Sequence, residues 1–166
     1  MKRSFFTALL TAALIAAVTV TAAETPSADA STGRLEEAKA YYLESMIAGL
    51  NASLRASGQK ELSPERSADL TKACVKWMNE DLIPFLVKNG ILDEWIKMLF
   101  DEESRAISRK TADAKTSDEL FKIAQEAVEF NRKHYPKYFA KLDTEEGKLV
   151  IQKLQVILIQ TMIGGD

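Results

Sequence analysis

Beyond the amino-terminal segment, apolar residues are densest in the stretch 149–163, LVIQKLQVILIQTMI. Its apolar residues recur at helical spacing and cover most of a helix surface: Val150, Ile151, Leu154, Val156, Ile157, Leu158, Ile159, Met162 and Ile163. A helix that is apolar on most faces has to be covered by several neighbours. The pattern therefore predicts that this C-terminal helix lies at the centre of a helical bundle.

Leucine, valine and isoleucine also suit strands, so a strand over 154–160 is the competing interpretation. The preceding residues 143–146, DTEE, favour the helix. They supply an N-cap and acidic side chains that oppose the helix dipole. Gly164-Gly165 then provides a helix stop.

The segment 1–23 has the pattern of an export signal. Lys2 and Arg3 precede an uncharged apolar run, and small residues follow where a signal peptidase would cut. An uncleaved anchor is the alternative, but the run is short for a membrane span. The short run favours a bacterial leader over a eukaryotic one. We therefore expect a periplasmic protein, with a flexible tether over 24–33 and a helical domain over 34–166.

Two helices are predicted in the first half of that domain. The first covers about residues 34–56 and ends at a Ser-Gly pair, and the second starts with Ser63 as its cap. Pro84 lacks a backbone N–H and restricts the residue before it. We therefore expect a kink or a break over residues 81–83.

A third helix, over about 91–109, follows the turn at Asn89-Gly90. Residues 116–119, TSDE, form a capping box that opens a fourth helix, and Pro136 bends or ends that helix. Removal of 23 leader residues from a chain of 166 leaves 143, enough for one core. The sequence predicts a single all-α domain, a bundle of five or six helices.

The charge balance limits the possible partners. The chain carries 22 basic and 24 acidic residues, and loss of Lys2 and Arg3 with the leader lowers the formal net charge from −2 to −4. A mildly acidic chain argues against general nucleic-acid binding. No transmembrane segment is expected after removal of the signal.

Cys74 and His134 are the only cysteine and the only histidine. Cys74 shares an apolar face with Trp77 and Met78, so we interpret it as a buried side chain and not as a reactive thiol. His134 has no nucleophile motif and no second metal ligand at a suitable spacing. We interpret it as a surface or capping residue beside Pro136.

The acidic run Asp101, Glu102 and Glu103 is contiguous, so its carboxylates fan around a helix. A catalytic acid–base pair instead faces across a cleft. We interpret the run as solvated surface. The chain contains no glycine-rich phosphate loop. We therefore predict no catalytic residues, no metal site and no cofactor, and we expect that the protein is not an enzyme.

Basic and aromatic residues are interleaved in the segment 130–141, FNRKHYPKYFAK, around Pro136. A positive patch with exposed rings could bind an anionic peptide, a phosphorylated headgroup or a cell-wall fragment. The predicted binding residues are Arg132, Lys133, Tyr135, Lys137 and Tyr138. In that case the three cations should lie together in solvent with one of the tyrosines exposed. The alternative is a kinked helix with its rings inward and its lysines in water.

Residues 144–148, TEEGK, follow an aromatic helix end. They resemble a turn in an uncharacterised family of small exported bacterial helical proteins, with the pattern Phe-Tyr-x-Ser/Thr-Pro-x-Gly-Gln before an apolar helix. Thr144 and Gly147 match that pattern, whereas Glu145 replaces the Pro, Lys148 replaces the Gln, and no Phe-Tyr pair stands at the matching spacing. The resemblance implies an all-α exported protein and no particular reaction.

These observations lead to two predictions of function. The first is a non-catalytic periplasmic binding protein that acts by protein–protein contact, as chaperones, inhibitors and immunity proteins do. Its partner would be another protein or an anionic component of the cell envelope. The alternative is a carrier of an apolar ligand, with a pocket between helices where Pro84 and Pro136 splay the packing. A closed core with an exposed patch would favour the first, and an apolar cavity would favour the second.

Overall fold

A computed structural model describes residues 32–163, and all regular elements in this range are helical. The α-helices are α1 (Thr32–Ala56), α2 (Pro64–Trp77), α3 (Ile83–Lys88), α4 (Leu92–Phe100), α5 (Glu102–Arg109), α6 (Ser117–His134), α7 (Pro136–Leu142) and α8 (Glu145–Ile163). A π-helical turn (Met78–Leu82) joins α2 to α3, and a 3₁₀ turn (Lys110–Ala112) follows α5. Helical structure is continuous from α2 through the π turn into α3. If these three are counted as one helix, residues 32–163 contain seven α-helices. The prediction of a single all-α domain is confirmed, with a helix count close to that predicted.

Several sequence predictions fall outside the described residues. The export signal over 1–23, the cleavage site and the helix stop at Gly164-Gly165 belong to residues 1–31 and 164–166. Most of the tether over 24–33 also lies there, but its last two residues are helical, so α1 begins earlier than predicted. Within residues 32–163, no helix is long and apolar enough to cross a membrane.

Predicted caps and turns set several element boundaries. At the start of α2, the Ser63 hydroxyl accepts a hydrogen bond from the backbone N–H of Arg66 at 3.3 Å. At the start of α6, the Thr116 hydroxyl accepts from the Glu119 N–H and the Glu119 carboxylate accepts from the Thr116 N–H, at 3.2 and 3.3 Å. Gly90 turns the chain after α3 with a φ of 65°, a conformation that glycine adopts readily. These boundaries follow from local sequence chemistry, as expected.

The interruption predicted over residues 81–83 takes the form of a wider turn and not of a break. The N–H of Ile83 bonds to the carbonyl of Met78, five residues earlier, and helical structure continues into α3. In an α-helix, the ring of a proline clashes with the carbonyl four residues before it. The π turn lies directly before Pro84, where its extra residue gives the ring room.

The predicted third helix, over 91–109, is in fact two helices. Asp101 has an extended backbone, and its carboxylate accepts a hydrogen bond from the Ser104 N–H at 2.8 Å. It is therefore the N-cap of α5, and the interpretation of Asp101 as mere solvated surface is wrong. Pro136 likewise ends α6 and stands first in α7, a position that suits its fixed φ.

The core takes buried side chains from most of the helices, and α1 contributes more of them than any other described helix. Its members include Tyr42, Met46, Leu50 and Leu54 of α1, Leu70, Cys74 and Trp77 of α2, Trp95 and Leu99 of α4, and Val150, Leu154 and Leu158 of α8. The rings of Trp77 and Trp95 both lie against Tyr42, with centroids 6.3 and 5.8 Å from its ring. Among the described elements, α1 packs against α2, α4 and α6, so it is the first helix that occupies the middle of the fold.

The C-terminal helix α8 contributes to the core but lies at one side of it, contrary to the sequence prediction that it is central. It packs chiefly against α2 and α7. One stripe of it is buried, namely Val150, Leu154 and Leu158. On its other faces Ile157 is only partly buried, and Leu149 and Val156 are 57% and 51% exposed. The Trp77 indole N–H donates to the Val150 carbonyl at 3.0 Å and ties the buried stripe to α2.

Candidate functional site

A cavity of about 360 Å³ lies where α6, α7 and α8 meet beside α4. Half of its lining side chains are apolar or aromatic: Met98, Val128, Tyr138, Phe139, Leu142 and Ile151. Its volume is at the lower end of the range of small-molecule sites, roughly 300–1,000 Å³. The lining residues stand on both sides of Pro136, where the break between α6 and α7 separates two walls.

Two tight connections position these walls. Between α6 and α7, the backbone N–H of Tyr135 donates to the Asn131 carbonyl at 2.7 Å. Between α7 and α8, the Thr144 hydroxyl donates to the Lys141 carbonyl at 2.6 Å and accepts from the Gly147 N–H at 3.2 Å. Any Cβ at position 147 would collide with that same carbonyl of Lys141, so the corner requires glycine.

One lining side chain is polar, buried and unpartnered. Asn131 is 6% exposed, and its carboxamide oxygen Oδ1 has no hydrogen-bond partner among the described residues. The position continues the buried stripe of α6, after Leu120, Ala124 and Ala127. A buried polar atom without a partner costs free energy, so Asn131 is the least expected residue of the lining.

Charged side chains border the cavity on its solvent side, and each is already paired. Both guanidinium nitrogens of Arg132 donate to the Asp143 carboxylate, at 2.8 and 3.1 Å, and the guanidinium carbon lies 4.9 Å from the centre of the Phe139 ring. This hydrogen bonding lowers the pKa of Asp143 and raises that of Arg132. Lys148 pairs with Glu145 at 2.7 Å. All four charged side chains are exposed, so the pairs contribute little stability, but they balance the charge at the opening.

The five predicted binding residues do not form one exposed patch. Tyr138 is buried, with 6% of its surface exposed, and burial raises the pKa of its phenol. Tyr135 is partly buried, and its hydroxyl donates to the Asp101 carboxylate at 2.8 Å. Arg132 is exposed but bound to Asp143. The three cations are exposed as expected, but Tyr138 is buried and Tyr135 is only partly exposed, so the expectation of an exposed tyrosine beside them is wrong for Tyr138.

Lys133 and Lys137 are exposed and form no ion pair with the described residues. Their spacing would place them on one helix face only if the helix continued through Pro136, and it does not. The backbone N–H of Lys137 donates instead to the Glu94 carboxylate of α4 at 3.2 Å. Of the five predicted residues, Arg132 and Tyr138 line the cavity, and the other three lie outside its lining.

The residue that the sequence interpretation missed is Asn131. A signal was present, because an asparagine on the apolar stripe of an amphipathic helix is a polar residue at a core position. Val128, one position beyond Ala127, and Ile151 on α8 have apolar side chains that would suit a closed core, and both line the cavity. Sequence spacing does not indicate that α6 and α8 leave space between them.

The structure agrees with the interpretations of Cys74 and His134. Cys74 is fully buried, and burial raises the pKa of its thiol to about 12. His134 is exposed at the end of α6, with its ring centre 4.1 Å from that of Phe130. In the described part of the chain, no three His, Cys, Asp or Glu side chains lie close enough together to hold a metal ion.

Comparison of the chain with protein-family models, curated proteins and solved structures finds no match. The resemblance of residues 144–148 to a turn in exported helical proteins therefore stays a prediction. Thr144 and Gly147, which carry it, have a structural role at the corner between α7 and α8.

Proposed function

We propose that the protein is a non-catalytic binding protein that holds a small, mainly apolar ligand in the cavity between α6, α7 and α8. The observation that carries the proposal is the cavity itself, with its volume of about 360 Å³ and its six apolar or aromatic lining side chains. A ligand that displaces water from these side chains gains free energy in proportion to the apolar area removed from water. This is the carrier function that the two prolines suggested, with the cavity located at Pro136.

A second cavity, of about 310 Å³, lies beside Pro84 and supports the proposal less well. Five of its nine lining residues are charged. Two cross-helix pairs, Lys88 with Glu146 and Lys153 with Asp81, occupy its border. An apolar ligand there would desolvate charges without offering them partners, which is costly.

Protein–protein contact stays a prediction with narrower support. Lys133 and Lys137 are exposed and could meet an anionic partner. The two tyrosines contribute little to a contact surface there, because Tyr138 is buried and the Tyr135 hydroxyl is bound to Asp101. Export to the periplasm also stays a prediction; if it occurs, the ligand would be a compound of that compartment.

The first test is to block the cavity and measure binding. Ile151 is half-buried on α8 and lines the cavity, so the larger ring in Ile151→Trp should fill the space that a ligand needs. Val156 lies on the same helix outside the lining and is 51% exposed, which makes Val156→Trp the matched control. We expect 1-octanol, titrated by NMR, to bind at least about tenfold more weakly to Ile151→Trp and unchanged to Val156→Trp.

Mass spectrometry of the denatured protein should also detect a copurified apolar compound in the wild type and less of it in Ile151→Trp. The proposal is wrong if small apolar compounds do not bind the wild type. It is equally wrong if Ile151→Trp keeps its helical circular dichroism and its melting temperature and still binds as the wild type does.

A further inference from the structure

Asn131 gives the cavity a chemical preference that its apolar walls do not explain. We infer that the ligand carries a hydroxyl group and that the carboxamide of Asn131 is the specificity-determining partner of that hydroxyl. The inference rests on the proposed function, because it concerns the same cavity. It goes further by naming the class of ligand as an uncharged amphiphile with one hydroxyl and an apolar body.

The first step is that the Asn131 side chain lacks a partner in the protein. Its Oδ1 atom is buried with no hydrogen-bond partner among the described residues, and the side chain lines the cavity. An apolar residue at this position would simply complete the stripe of Leu120, Ala124 and Ala127. Because the Asn131 side chain lines the cavity, rotation about its Cβ–Cγ bond can turn the buried oxygen towards the cavity, where a bound ligand can supply the missing partner.

The second step concerns the kind of group that fits. A carboxamide presents an accepting oxygen and a donating NH₂, and rotation about the bond to Cγ exchanges the two. A hydroxyl both donates and accepts, so it matches either end of Asn131. An ether oxygen only accepts and a hydrocarbon does neither, so both leave the buried Oδ1 without a partner.

The third step concerns charge. Arg132 and Lys148, the cations of the lining, are already paired with Asp143 and Glu145. A carboxylate or phosphate headgroup would have to share its cation with one of these acids, and the negative charge of that acid would repel it. A neutral hydroxyl group meets no such repulsion, so the geometry favours an alcohol over a fatty acid of the same length.

The test compares isomers that differ only in the position of the oxygen. We expect 1-octanol to bind the full-length wild type about three- to tenfold more tightly than its isomer 1-methoxyheptane, because one buried hydrogen bond is gained. In Asn131→Leu the two isomers should bind equally. Gln125→Leu removes a carboxamide from the exposed side of the same helix, and this control should keep the preference for the alcohol.

Each outcome separates this inference from the proposed function. Equal binding of the two isomers to the wild type, or a preference that persists in Asn131→Leu, overturns the role of Asn131, while the sensitivity to Ile151→Trp still supports the cavity. Tighter binding of octanoate than of 1-octanol overturns the assignment of a neutral ligand. Binding of neither isomer overturns both proposals. If Asn131→Leu does not fold, the comparison in the wild type decides alone.

Discussion

The chemistry available to Cys74 is set by its burial among core side chains. With none of its surface exposed and the pKa of its thiol raised to about 12, almost none of it is thiolate at neutral pH. The thiolate is the species that alkylating reagents attack. We expect iodoacetamide to leave the native protein unmodified and to label Cys74 after unfolding in urea, as followed by mass spectrometry. Rapid labelling of the native protein would contradict the buried position.

The raised pKa of the Cys74 thiol also makes the stability of the protein depend on pH in alkaline solution. An unfolded thiol ionises near pH 9, whereas the folded one ionises near 12. The contribution of Cys74 to the free energy of unfolding is therefore complete below pH 9 and is lost as the pH rises from 9 towards 12. Raised pKa values of buried Tyr42 and Tyr138 act in the same direction. Cys74→Ala should consequently lose less stability than the wild type over that interval.

At the scale of single residues, the sequence predicted burial better than it predicted partners. Cys74 lay on a recognisable apolar face, and the structure buries it. Arg132 is exposed as predicted, but the sequence did not indicate that Asp143 binds it, and Tyr138, another predicted binding residue, is covered by the core. The pairing of Arg132 depends on how the chain folds back after Pro136, and helical periodicity contains no information on that reversal.

At the scale of elements, the corner between α7 and α8 places two walls of the cavity. The Gly147 backbone packs against the last turn of α7, where a Cβ would collide with the Lys141 carbonyl and lie 2.6 Å from the carbonyl oxygen of Leu142. In an open helix, alanine is more favourable than glycine by about 1 kcal/mol. Here the collision with rigid backbone should reverse the sign, and Gly147→Ala should lower the free energy of unfolding by about 1–3 kcal/mol.

Gly33 provides the control, because it is also helical and its Cβ would meet no atom within 4 Å. Gly33→Ala should leave the free energy of unfolding unchanged or raise it slightly. Equilibrium denaturation in urea compares the two variants. If Gly147→Ala proves as stable as Gly33→Ala, then α7 and α8 do not approach as closely as the corner requires.

The boundaries of the elements were predictable where the signal is local. Ser63 and the capping box at Thr116 act within four residues, so the sequence contains all that is needed to recognise them. Asp101 was missed because two uses of an acidic residue compete, as surface charge and as N-cap. Its second bond, from the Tyr135 hydroxyl, comes from a residue 34 positions away and is not visible in the sequence.

At the scale of the whole molecule, the sequence identified the class of fold but not its centre. The apolar run in α8 is longer than that in α1, yet α1 contacts more of the surrounding helices. Apolarity measures how much surface a helix could bury, whereas the position of a helix depends on which neighbours reach it. α8 therefore leaves Leu149 and Val156 exposed while its other side closes the core and the cavity.

Substitution of leucine by alanine should have a large effect on the buried side of α8 and almost none on its exposed side. Leu154 is 1% exposed within the core, so Leu154→Ala removes apolar contacts and leaves a hole, and we expect a loss of about 2–5 kcal/mol in the free energy of unfolding. Leu149 is 57% exposed on the same helix, and Leu149→Ala should change the free energy by less than about 0.5 kcal/mol. Urea denaturation followed by the fluorescence of the two core tryptophans, Trp77 and Trp95, measures both variants. A loss below about 1 kcal/mol for Leu154→Ala would mean that α8 contributes little to the core. The wall that α8 forms in the cavity would then be too weakly fixed to bind a ligand.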